Sequence, residues 1–125
     1  MSDELSKLPP QVQERLLRLQ QLQQTLQAVL TQKQQLELEL TETEQALSEL
    51  GKLDDSAVVY KSIGSLLVKA EKAKVTTELN ERKDLLNMRV SVLGKQEERL
   101  RTQVKDLQTK LQRELRPVSG SPPPS

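Results

Sequence analysis

The sequence predicts a mainly α-helical chain, a long antiparallel two-helix coiled coil with a β-hairpin at the bend. Apolar residues recur every seven positions in two long stretches, residues 11–50 and about 73–115. Between them, over residues 58–68, the apolar period falls to two. The chain has 125 residues without Phe, Trp, His or Cys, and Tyr60 is its one aromatic residue. Such a composition suits narrow helix–helix seams better than a layered globular core.

The first helix is predicted over residues 9–51, after a flexible lead-in at 1–8. Pro9 and Pro10 favour a helix start, because proline is pre-set for the first turn and its missing N–H is not needed there. Gly51 is a plausible helix stop. Nine of twelve seam positions in two interleaved sets are apolar, which indicates a sustained heptad repeat. The sets are Val12, Leu19, Leu26, Lys33, Leu40 and Leu47, and Arg15, Leu22, Val29, Leu36, Thr43 and Leu50.

A polar connector, residues 52–56, separates this helix from a hairpin predicted over residues 57–70. Val58, Tyr60 and Ser62 are expected on one face of the first strand. The turn is expected at Ile63-Gly64-Ser65, since Gly64 tolerates a positive φ.

The second helix is predicted over residues 73–116. Its seam sets are Leu79, Leu86, Leu93, Leu100 and Leu107, and Lys83, Val90, Glu97, Val104 and Leu111. Gly94 lies inside this helix and should cost about 1 kcal/mol relative to Ala, so either another group approaches closely there or it is a tolerated weak point. Pro117 ends the helix, and residues 117–125 have the composition of a disordered tail.

Charge favours pairing of the two helices within one chain. Residues 11–50 carry three basic against six acidic side chains, whereas residues 71–116 carry twelve basic against eight acidic ones. The apolar stripe of a long helix must also be covered, and the other stripe of the same chain is the nearest cover. The alternative, a parallel dimer through the leucine repeat of the second helix, leaves the first helix without a partner.

Two surfaces are predicted to bind other chains. Two strands alone are marginal, and their unpaired edges and apolar faces favour joining with hairpins of other subunits into a shared sheet or barrel; the alternative is a cap over the helix bend. At the far tip more leucines meet than one seam buries, which suits flexible apolar clients or reflects end fraying. The hairpin surface comprises Val58, Val59, Tyr60, Ile63, Gly64, Leu66, Leu67 and Val68, and the helix-end surface comprises Leu8, Val12, Leu16, Leu17, Leu19, Leu107, Leu111 and Leu115.

The composition argues against an enzyme. Without His or Cys the commonest general base and the thiol nucleophile are missing, and no catalytic residue, cofactor or metal site is expected. The acidic pair Asp54-Asp55 is more typical of a solvated turn. No apolar run is long enough to span a bilayer, and the acidic N-terminus does not resemble a signal peptide, so a cytoplasmic location is expected. A basic-zipper DNA-binding function is disfavoured because the hairpin precedes the leucine repeat.

Four segments of the chain resemble the β-type subunits of prefoldin, most of all their archaeal form. They are Leu8-Pro9-Pro10-Gln11-Val12-Gln13, Gln32-Lys33-Gln34, the hairpin stretch from Val59 to Lys69, and Lys95-Gln96-Glu97-Glu98. The resemblance implies a hexameric co-chaperone of two α-type and four β-type subunits that are joined through hairpins into a β-barrel. It further implies that the coiled-coil tips capture unfolded proteins and deliver them to a group II chaperonin without ATP hydrolysis.

Two main function hypotheses follow from the sequence, and a third class stays open. The first is this co-chaperone, with the α-type subunit, further copies of the chain, unfolded clients and a chaperonin as partners, and neither nucleic acid nor membrane. The alternative is a structural coiled-coil scaffold or spacer that binds a specific folded partner. An RNA-binding arm is a third class, which the basic second helix leaves open but which lacks aromatic stacking groups.

Overall fold

Two long helices flank a two-stranded antiparallel hairpin in the computed structural model of the chain, which describes residues 7–115. The expected mainly α class, with a hairpin between the helices, is thereby confirmed. Of the flexible lead-in predicted over residues 1–8, residues 1–6 lie outside the described residues, and so does the disordered tail predicted over 117–125. In chain order the elements are helix α1 (Pro10–Gly51), strand β1 (Val59–Ile63), strand β2 (Leu66–Ala70) and helix α2 (Lys72–Leu115).

Helix α1 begins at the proline pair. The Pro9 carbonyl accepts hydrogen bonds from the backbone N–H groups of Val12 and Gln13, at 2.9 and 3.1 Å. The Gln13 side-chain amide donates to the Leu8 carbonyl oxygen at 2.7 Å. Pro10 is the first helical residue, a position at which no N–H is required. Local hydrogen bonding therefore fixes where the helix starts.

The chain divides into two compact units, Met1–Leu30 with Lys95–Ser125, called the end unit, and Thr31–Gly94, called the hairpin unit. In the end unit the early part of α1 pairs antiparallel with the late part of α2, since Arg15 forms an ion pair with Glu114. The buried apolar side chains of this unit are Val12, Leu22, Val29, Val104 and Leu111.

The hairpin unit contains its own stretch of helix–helix seam. Leu50, Leu86 and Leu93 are its buried apolar residues, and Thr43 is buried as well. The Thr43 hydroxyl donates to the Glu39 carbonyl oxygen at 2.8 Å, so this polar group needs no partner from the other helix. No side-chain nitrogen or oxygen among residues 7–115 is buried without a hydrogen-bond partner.

Burial follows the heptad pattern closely. All twelve seam positions of α1 and all ten of α2 are buried or half-buried. The three seam positions of α1 that carry polar side chains also face inward: Thr43 is buried, while Arg15 and Lys33 are half-buried. The seven-residue period thus identified the inward face of both helices.

The hairpin closes through a two-residue loop. Ile63 pairs with Leu66, and the register continues through Lys61 with Val68 to Val59 with Ala70. Gly64 has φ +59°, and no other residue of the described chain has a positive φ. A glycine at the first loop position fits a type II′ turn, whose twist suits a tight hairpin.

Gly94 is a tolerated weak point. A Cβ added at this helical position would meet no other group within 4 Å. Gly94→Ala is therefore expected to stabilise the fold by about 1 kcal/mol, through higher helix propensity and a less flexible unfolded chain. Urea unfolding of the assembled protein, followed by circular dichroism, measures the change.

Gly64→Ala provides the opposite case, since a β-carbon is strained at φ +59°. This variant is expected to be destabilised although the space around Gly64 is equally open. A destabilised Gly94→Ala protein would show that the helix needs glycine at position 94.

Candidate functional sites

The hairpin surface is left almost entirely uncovered by its own chain. Leu66 and Leu67 are 66% and 73% exposed, Tyr60 is 63% exposed, and of the eight predicted residues only Val59 is half-buried. Cross-strand partners share a face, so Ile63 and Leu66 lie on one side of the hairpin and Leu67, the partner of Ser62, lies on the other. Both faces of the hairpin therefore present apolar side chains to solvent.

Three polar contacts hold the hairpin and its connector to helix α2. The Lys61 ammonium pairs with the Glu78 carboxylate at 2.6 Å. The largely buried Lys72 side chain donates to the Leu53 carbonyl oxygen at 2.6 Å and to the Asp55 carboxylate at 3.3 Å. These contacts anchor the base of the hairpin, and its apolar side chains stay open.

The residues of the helix-end surface, which belongs to the end unit, fall into three groups by their solvent exposure. Val12 and Leu111 are buried, at 4% and 3% exposure, as parts of the seam. Leu17 and Leu115 are 56% and 45% exposed. The remaining members, Leu8, Leu16, Leu19 and Leu107, are half-buried. Leu17 and Leu115 are therefore the members of this surface that are most accessible to another chain.

Comparison with known proteins gives one family. The family model described as "Prefoldin subunit" matches residues 13–117. The chain is 50% identical to prefoldin subunit beta of Archaeoglobus fulgidus, over 93% of this chain and 100% of that one. It is 44% identical to prefoldin subunit beta of Thermococcus onnurineus, over 93% and 100% of the two chains. The chain belongs to the prefoldin subunit family.

Solved prefoldin structures agree with this membership. The crystal structure of the prefoldin beta subunit from Thermococcus strain KS-1 superposes with a TM-score of 0.81 at 46% identity, covering 89% of this chain and 97% of that one. The beta2 subunit from the same strain, at 24% identity and a TM-score of 0.66, shows a likeness of fold alone. The resemblance read from the sequence is confirmed.

Membership of the prefoldin family supports a chaperone role of the prefoldin type and assembly with other prefoldin subunits. The family is of a chaperone type that is not catalytic. Within residues 7–115 no three acidic side chains cluster as metal ligands would, and neither helix there is long and apolar enough to cross a membrane. Asp55, one of the two adjacent acids, is paired with Lys72.

An ion pair closes the end unit of this prefoldin subunit. Arg15 occupies a seam position of α1, and its guanidinium binds the Glu114 carboxylate of α2. Both side chains are about three-quarters buried, so water screens the pair less than it would a surface pair. The break in the heptad at Arg15 is therefore a specific inter-helix contact.

Reversing the charge at position 15 is expected to loosen the end of the coiled coil. Arg15→Glu places two carboxylates together and should cost about 1 kcal/mol locally, whereas Arg15→Glu combined with Glu114→Arg should restore the contact. Amide hydrogen exchange near Val12 and Leu111 measures the opening.

Arg18→Glu is the matched control for this charge reversal, because Arg18 is exposed one turn away and makes no ion pair within the described chain. It should leave the exchange rates near wild type. Failure of the double variant to recover protection would show that the pair is not what holds the ends together.

Sequence reasoning missed the Lys72 anchor and several exposed apolar side chains on the outer helix faces. Leu38, Leu85, Met88 and Val92 are all at least 44% exposed. The heptad itself places these four outside the seam, so counting off-seam apolar residues would have found them. No periodic signal marks Lys72, because its partners belong to the irregular connector.

Proposed function

We propose that this prefoldin subunit captures unfolded proteins at its helix-end surface and delivers them to a group II chaperonin without ATP hydrolysis. On this proposal the subunit acts as part of an assembly, and the observation that supports assembly is the uncovered hairpin surface. Five of its side chains, Val58, Tyr60, Ile63, Leu66 and Leu67, are more than half exposed. A chain with so much apolar surface on one small hairpin is built to be buried against others.

Assembly is proposed to proceed through the hairpin edges. Each strand of an isolated hairpin has one edge whose backbone N–H and C=O groups lack strand partners, and such edges pair with other strands. The hairpin surface would join with that of an α-type prefoldin subunit and with further copies of this chain. Two α-type and four β-type subunits would close into a barrel, which leaves no free edge.

Capture is proposed to rest on the exposed leucines of the helix-end surface. Leu17 and Leu115 offer apolar contact that is non-directional, so many different unfolded segments can use it. The half-buried leucines nearby, such as Leu16 and Leu19, would add contact where the ends of the helices open. The cytoplasm, where a chaperonin is available, is the proposed location.

The proposal is tested by mixing this chain with an α-type prefoldin subunit and measuring the mass of the assembly by analytical ultracentrifugation. A hexamer that suppresses aggregation of a chemically denatured protein, equally with and without ATP, is the expected result. Transfer is then followed by adding a group II chaperonin and measuring release of the labelled client.

A stable dimer of this chain alone, unable to join the α-type subunit or suppress aggregation, would instead support the scaffold alternative. A hexamer that suppresses aggregation but releases nothing to the chaperonin would contradict only the delivery step.

A further inference from the structure

The end unit carries an excess of positive charge. Its described residues, 7–30 and 95–115, hold nine Lys or Arg against five Asp or Glu, a net charge of +4. The hairpin unit holds nine basic against eleven acidic side chains, a net of −2. Both units hold nine basic side chains, and the net positive charge lies in the unit that also contains the helix-end surface.

Most of this positive charge is available to another molecule. Arg15 is paired with Glu114, and Arg101 with Glu97 at 2.8 Å. The other seven bases are exposed, and within residues 7–115 none of them makes an ion pair. They are Lys7, Arg18, Lys95, Arg99, Lys105, Lys110 and Arg113, against three remaining acids, Glu14, Glu98 and Asp106.

One exposed base lies beside an exposed leucine on α1, and another lies in the same helical turn as the exposed leucine of α2. Leu17 and Arg18 together line an open groove of about 370 Å³ on α1, whose other lining residues are Glu14, Arg15 and Gln21. Arg113 is in the last turn of α2, two residues before Leu115. A segment that contacts Leu17 therefore comes within reach of the Arg18 guanidinium, whereas Arg113 and Leu115 lie on different faces of the last turn of α2.

We propose that the helix-end surface prefers unfolded segments in which acidic residues are interspersed with apolar ones. This inference rests on the capture function proposed above and names its client class. Leucine contacts do not discriminate between apolar segments, whereas complementary charge adds selectivity and speeds encounter. Exposed ion pairs are individually weak, so several together should give a preference of about fivefold.

The test uses the full chain assembled with an α-type prefoldin subunit. Three synthetic fluorescent peptides share the same leucines and differ only in having Glu, Gln or Lys at the intervening positions. Binding is measured by fluorescence anisotropy. The Glu peptide should bind about fivefold more tightly than the Gln peptide, and the Lys peptide should bind most weakly. In about 1 M salt, where the screening length is about 3 Å, the three affinities should converge.

A triple variant tests whether the preference for the Glu peptide arises in the end unit. Arg18→Gln, Lys110→Gln and Arg113→Gln together remove three exposed charges from the end unit and no described ion pair. This variant should lose most of the Glu preference and keep its affinity for the Gln peptide. The matched control, Lys69→Gln, Lys74→Gln and Arg89→Gln, removes the same charge and no described ion pair from the hairpin unit, and it should keep the preference.

Each outcome separates the two proposals. Equal affinities for the Glu and Lys peptides, or tighter binding of the Lys peptide, would overturn the charge preference and leave capture standing. Loss of preference in the control triple as well would show that net charge, not the helix-end surface, is responsible. Failure to bind any peptide, together with failure to suppress aggregation, would overturn capture itself.

Discussion

Replacing Leu66 and Leu67 together by Asp is expected to abolish assembly with other prefoldin subunits while both helices stay folded. The two side chains are the most exposed large apolar groups of the described chain, so the change removes little packing within the chain. Leu66 and Leu67 lie on opposite faces, so at least one new carboxylate would point into an assembled barrel and be buried without a partner, which costs roughly 3–5 kcal/mol for such a charge. Association should therefore weaken by more than about a hundredfold.

Analytical ultracentrifugation with the α-type subunit gives the result, and circular dichroism monitors helix content. Leu38→Asp with Leu85→Asp is the matched control, since it adds the same two charges at exposed leucines of the same unit. The control should form the wild-type assembly. If the hairpin variant assembles normally, the barrel proposal is wrong; if both variants fail, added charge alone explains the loss.

Replacing Leu17 and Leu115 by Gln is expected to remove most client capture without affecting assembly. Each exposed leucine that becomes buried against a client contributes about 1.5 kcal/mol. Loss of both should weaken binding of an unfolded protein by roughly a hundredfold. The measurement is suppression of aggregation of a denatured protein, titrated with the assembled hexamer.

Leu38→Gln is the control for this experiment, because Leu38 is 53% exposed and Leu17 is 56% exposed. Substituting Val12 or Leu111 would be uninformative, since these residues are buried and their truncation loosens the helix pair itself. Undiminished suppression by the double Gln variant would contradict the placement of the client site at the helix ends.

The fold could be predicted from the sequence because its apolar residues recur periodically. The heptad marks positions such as Leu86 and Val104, and burial there follows directly from the period. Gly64 was identified as the turn residue from its tolerance of positive φ, and its φ of +59° agrees. Local patterns of this kind need no knowledge of the rest of the chain.

The helix-end surface was less predictable because exposure there depends on how two helix ends meet. Leu16 and Leu115 both flank the seam one position after the Arg15 and Glu114 pair, yet Leu16 is half-buried and Leu115 is exposed. Arg15 broke the heptad in the sequence, but its partner Glu114 lies 99 residues away along the chain. No local pattern shows such a contact.

The uncovered hairpin has a consequence for a copy that has not yet found its partners. Its strands display apolar side chains and free edges, the features by which chaperones and proteases distinguish incomplete proteins from finished ones. On the proposed mechanism, an orphan copy would itself be a client of its assembled relatives. If this subunit were made in excess over its α-type partner, the unassembled copies would then occupy the client sites of the assembled hexamers.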